Sequence, residues 1–176
     1  MPNPDMRVAS IVALFLFTAP AAEAASVREV FEQYGLLGTF AIDCARPVSP
    51  ENHYMQFRAL DGGRVQIELM VGPQQRQYAY VIDRAEARGP NGITTSMANE
   101  QQRLNLLYRV EGRRLRTMES AREGGPTIVA RGVFTANKMR TPWLNRCAPG
   151  TMAHAGPEAI DADRVVESIA GWIKAH

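Results

Sequence analysis

The clearest pattern in the chain lies at 64–71, where Val65, Ile67, Leu69 and Val71 alternate with Arg64, Gln66, Glu68 and Met70. A period of two is the mark of a strand that buries one face and wets the other. The same period recurs along the chain. At 77–88 it sets Tyr78, Tyr80 and Ile82 against Ala79, Val81 and Asp83, and at 103–110 it collects Leu104, Leu106, Tyr108 and Val110 on one side. Looser versions at 36–44, 53–60, 93–97, 113–119 and 127–134 bring the expected strands to eight. Asp61-Gly62-Gly63, Gly72-Pro73, Gly89-Pro90-Asn91-Gly92, Glu111-Gly112 and Glu123-Gly124-Gly125 supply the turn chemistry between them. Short strands at near-regular spacing, with no helix among them, predict one mainly β domain: an antiparallel eight-stranded barrel or a sandwich.

The pattern changes at both ends of this run. Ser26 and Glu29 form a capping box, Val27, Phe31 and Tyr34 share one helical face, and Gly35 is suited to stop the helix. At the far end a loop carrying Pro142, Trp143 and Cys147 leads through small residues at 150–157 to Val165, Ile169, Trp172 and Ile173, whose spacing predicts a closing amphipathic helix.

A short helix, a strand bearing Gly38-Thr39-Phe40, seven further antiparallel strands and a C-terminal helix form an order of elements that resembles the lipocalins and the wider calycin superfamily. In that family the corresponding motif reads Gly-x-Trp, and its ring seals the closed end of the barrel under a basic residue from the last strand. The resemblance therefore implies that Phe40 seals one end and that Arg131 packs over it. Phe40 replaces the family's Trp, and the Thr-Asp-Tyr turn of its second motif is missing. A calycin-type barrel implies a fold and leaves function to the site.

Composition and charge narrow the field. Arg7 precedes an apolar stretch at 8–18, Pro20 breaks it, and Ala22-Glu23-Ala24 places small residues where a signal peptidase cuts. Residues 1–24 read as an export signal, leaving 25–176 as one domain, periplasmic or extracellular. Its loss removes Asp5, Arg7 and Glu23, so 20 basic and 18 acidic residues become 19 and 16, a net of +3. So mild a charge, with no nucleic-acid motif, argues against a nucleic-acid partner. A membrane-spanning barrel needs a continuous apolar outer stripe, and Arg58, Asp83, Arg84 and Arg131 fall mid-strand on mixed faces. Cys44 and Cys147, the chain's two cysteines, predict one disulfide in an oxidising compartment.

Candidate chemistry is sparse. His53, His154 and His176 are not spaced as metal ligands, and no nucleophile motif is present, so neither a metal, a cofactor nor a catalytic residue is expected. His53 near Asp43 or Asp61 would be the one acid–base pair to consider. Arg113, Arg114 and Arg116, with Arg103 and Arg109, are either an anion site or charged residues guarding a hairpin edge. Tyr54, Phe57, Tyr78, Tyr80, Tyr108 and Phe134 either line a cavity or fill a core. The favoured expectation is a barrel that binds a small apolar or amphipathic ligand without catalysis through Tyr78, Tyr80, Tyr108 and Leu106. The alternatives are a protein-binding module, such as an inhibitor of an exported hydrolase, and a structural envelope-associated protein.

Overall fold

The computed structural model describes residues 25–150. The expected export signal and closing helix lie outside the described residues. The elements are α1 (Val27–Gln33), β1 (Gly38–Ala41), β2 (Tyr54–Ala59), β3 (Val65–Met70), β4 (Arg76–Ala87), β5 (Gly92–Ala98), β6 (Arg103–Glu111), β7 (Arg114–Arg122), β8 (Thr127–Ala130), β9 (Val133–Phe134) and β10 (Leu144–Arg146). Neighbouring strands from β1 to β7 pair antiparallel in sequence order. β10 then pairs with both β7 and β1, which closes an eight-stranded antiparallel barrel.

The closing strand is not the one the sequence pattern predicts. The expected eighth strand at 127–134 is interrupted by Arg131 and Gly132, whose φ values of 51° and 73° turn the chain back on itself. The result is a small hairpin, β8 against β9, that continues the sheet from the upper half of β7 and stays outside the ring. The ring is closed instead by three residues, Leu144–Arg146, from the segment expected as loop.

A polar clamp holds this strap to the wall. Arg116 donates from Nε to Thr141 Oγ1 at 3.0 Å and from Nη2 to the Gly132 carbonyl at 2.9 Å. The Thr141 hydroxyl donates to the Thr117 carbonyl at 2.7 Å, and Gly132 N–H to the Met118 carbonyl at 2.7 Å. Thr141 is buried, so these bonds are made away from competing water.

At one end α1 closes the barrel. The capping box forms as expected: Ser26 N–H donates to Glu29 Oε2 at 2.7 Å and Glu29 N–H to Ser26 Oγ at 3.3 Å. Seven residues are too few for a helix to hold itself in water, so packing must stabilise it. Val27, Val30 and Phe31 are buried, the Phe31 ring lies 5.3 Å from that of Phe57, and Tyr34 Oη donates to the Gly89 carbonyl at 2.5 Å. Phe57 also meets Phe40 at 5.8 Å and Tyr108 at 6.2 Å, both edge-on, so four aromatic rings form one chain of contacts from the helix into the interior.

Candidate functional site

The register places the inner face unambiguously. Leu69 stands opposite Tyr78, Ile67 opposite Tyr80 and Val65 opposite Ile82; across the next ladders Ile93 faces Tyr108 and Thr95 faces Leu106. Tyr80, Tyr108 and Leu106 are buried in the main core, and Tyr78 packs against it half-buried. The rings of Tyr78 and Tyr80 lie 5.3 Å apart. The four side chains expected to share a face do share it.

Their hydroxyls differ in what they meet. Gln102, in the β5–β6 loop, donates from Nε2 to Tyr80 Oη. Tyr108, 1% exposed, and Thr95, 3% exposed, have side-chain oxygens with no hydrogen-bond partner. Burial pushes the Tyr108 phenol well above its usual range, with the neighbouring Tyr78 adding to the effect. Burial raises Tyr78 likewise, with Tyr80 as the secondary cause. Both phenols therefore remain protonated at neutral pH, each carrying an O–H that can donate.

The one buried charged residue among the described residues, Glu68, faces outward, since its neighbours Ile67 and Leu69 point in. Arg76 Nη1 reaches Glu68 Oε1 at 2.9 Å, Arg58 Nη2 pairs with Oε2, and Gln66 Nε2 donates to Oε1 at 3.3 Å. Burial alone would raise this carboxyl's pKa; the hydrogen bonds and charges of Arg76 and Arg58 outweigh it and hold the pKa below the usual carboxylate value.

Phe40, 1% exposed, is buried against Phe57 toward the helix end of the barrel. The residue registered against it is Arg146 of β10. Its guanidinium donates to the Leu37 carbonyl at 2.9 Å and covers Gly35 and Gly38. Gly38 has φ 129°, a conformation other residues rarely adopt, and this lets the chain turn from helix to strand beneath the arginine. Arg131, expected over this ring, is exposed in the β8–β9 turn and lines an open groove of about 920 Å³ on the wall together with Arg84, Arg103 and Glu119. The last strand of the ring is β10, so the basic residue beside Phe40 comes from there.

The cysteines are bridged, Cys44 to Cys147, with Cα atoms 5.4 Å apart. Cys147 N–H also donates to the Thr39 carbonyl at 2.8 Å, fixing the end of the strap to β1. Asn52 carries no sequence signal, yet it is 1% exposed and organises the loop after β1. Its amide donates to the carbonyls of Asp43, Arg46 and Pro47 and accepts from Asp43 N–H.

The arginine cluster is largely engaged within the protein. Arg103 pairs with Asp83 and Glu123, Arg109 and Arg114 with Glu111, and Arg116 serves the strap. Arg114 and Arg116 also lie over the Trp143 ring, at 4.9 and 5.8 Å. No hydrogen bond or ion pair joins His53 to Asp43 or Asp61, and burial lowers the His53 pKa. Among the described residues no three His, Cys, Asp or Glu side chains gather as metal ligands, and no helix is long and apolar enough to cross a membrane. No family model, curated protein or solved structure matches this chain.

Proposed function

We propose that the protein is an exported β-barrel of calycin type that binds a small apolar or amphipathic molecule in its interior without transforming it. The observation that carries this reading is the gathering of Tyr78, Tyr80 and Tyr108 on the inner wall among Leu104, Leu106 and Val110, with the Tyr108 hydroxyl left without a protein partner. Apolar walls with a few oriented polar groups suit binding, and none of these side chains is set up to activate water or carry a covalent intermediate. The leading pattern at 1–24 and the Cys44–Cys147 bridge support export. Phe40 registered against an arginine of the last strand, at the end closed by a helix, supports the lipocalin resemblance.

An uncharged solvatochromic dye tests the reading. Its fluorescence should rise and shift to the blue on mixing with the protein. Tyr80→Arg, which puts a cation on the inner wall, should abolish the signal while leaving the far-UV circular dichroism unchanged. A wild-type protein that leaves the dye in a water-like state at all concentrations would overturn it.

A second reading, a protein-binding module such as an inhibitor of an exported hydrolase, is favoured by Met139. This side chain is 59% exposed between Lys138 and Arg140 on the strap. Met139→Asp should abolish binding to such a partner and leave dye binding intact. The opposite pattern would favour the carrier.

A further inference from the structure

We propose that the guest is uncharged and presents a carbonyl-type oxygen that accepts hydrogen bonds from Tyr108 and Thr95. This rests on the interior-binding reading above and names the chemistry it recognises.

Tyr108 and Thr95 are diagonal neighbours on the inner face: Ile93 stands opposite Tyr108, and Thr95, two residues along β5, stands opposite Leu106. Such diagonal positions lie roughly 7–8 Å apart, so the two side chains are neighbours on one face of the wall. Both oxygens are buried and neither has a partner. Interiors rarely leave such groups unmade, because each has given up its bonds to water. Phenylalanine at 108 and valine at 95 would fill nearly the same space without that cost. In the proposal, a ligand group completes these two buried hydroxyls of the same face.

The surroundings decide the sign of that group. Ala85, Ile93, Met97 and Leu106 are apolar, and Ser120, opposite Leu106 on β7, adds a third hydroxyl without charge. Two protonated hydroxyls can donate to a neutral oxygen, but no cation stands among these residues to balance a carboxylate, and burying an unpaired anion is far costlier than burying a carbonyl. An ester, ketone or amide on an apolar body fits; a fatty-acid anion does not. Met97 and Met55, unbranched and adaptable, let the wall repack around the body of the guest.

Four probes of matched chain length separate the possibilities: methyl laurate, 2-tridecanone, laurate and dodecane, each competed against the uncharged dye. The ester and ketone should bind about tenfold more tightly than laurate and dodecane, the scale of one hydrogen bond lost. Tyr108→Phe should erase that preference and, because it deletes an unmade hydroxyl, raise the melting temperature of the unliganded protein. Thr95→Val should do the same to a smaller degree. Equal binding of all four probes would overturn the inference while leaving interior binding standing. Preferential binding of laurate would overturn it, and so would a Tyr108→Phe protein that melts lower and keeps the ester preference. If neither the dye nor any of the four binds the wild type, the interior-binding reading falls and the inference falls with it.

Discussion

Arg146 faces Phe40 across the ladder that closes the barrel, and the same arginine holds the Leu37 carbonyl at 2.9 Å. One residue of the last strand thus ties β1 to the turn that follows α1. The two partners contribute differently. Phe40 is buried against Phe57 and fills volume, so Phe40→Ala should cost roughly 3–5 kcal/mol. Arg146 is exposed and contributes one charge-assisted bond, so Arg146→Ala should cost about 1–2 kcal/mol. Arg131→Ala should stay within about 0.5 kcal/mol, as surface changes do. Urea midpoints at constant slope check all three. A large loss at Arg131 with none at Arg146 would contradict the assignment.

The Cys44–Cys147 bridge spans 103 residues and ends one residue beyond the three-residue strand that closes the ring. So short a strand has few ladder bonds of its own, and the covalent link keeps it beside β1. Thiol titration of the unreduced, denatured protein should find none free. Replacing both cysteines by Ser should lower stability by about 2–5 kcal/mol. Two titratable thiols in the native protein would refute the pairing.

Glu68 gives the protein an acid-sensitive element. Its pKa in the folded state lies below the unfolded carboxylate value, since Arg76 and Arg58 favour the charged form despite burial. The stability it contributes is therefore present above about pH 4.3, the unfolded value, and is lost as pH falls through the folded pKa below it. Glu68→Gln should lower stability at pH 7 by about 1–3 kcal/mol and flatten the acid limb of the stability profile below about pH 5. An unchanged acid limb in the variant, followed by urea unfolding, would count against this role.

Thr141 joins the strap to β7, accepting from Arg116 and donating to Thr117. Thr141→Val keeps its shape and removes both bonds, leaving the Thr117 carbonyl without this donor. The expected loss is about 1–3 kcal/mol. Limited proteolysis should show earlier cleavage within 131–143 while the other strands stay protected. Uniform protection in the variant would mean that the strap is held by other contacts.

The local parts of this fold were legible in the sequence because their causes are local. Alternation at 64–71, 77–88 and 103–110 follows from burial of one strand face, and it placed Tyr78, Tyr80, Leu106 and Tyr108 on the same wall. The Ser26–Glu29 cap and the Gly35 stop were readable for the same reason, as neighbours in sequence satisfy neighbouring amides. What joins distant residues was not legible. Leu144–Arg146 shows no alternation in three residues and becomes a strand only because β7 and β1 flank it with open edges. The apparent eighth strand was broken by a left-handed Arg131–Gly132 pair whose conformation is held by Arg116 and Thr141 from other segments. Glu68 looked like any solvent-facing strand residue until Arg58 and Arg76 closed over it. The Tyr108 hydroxyl acquired its significance in the same way. A sequence shows that a phenol points inward, but only the packed barrel determines whether anything meets it there.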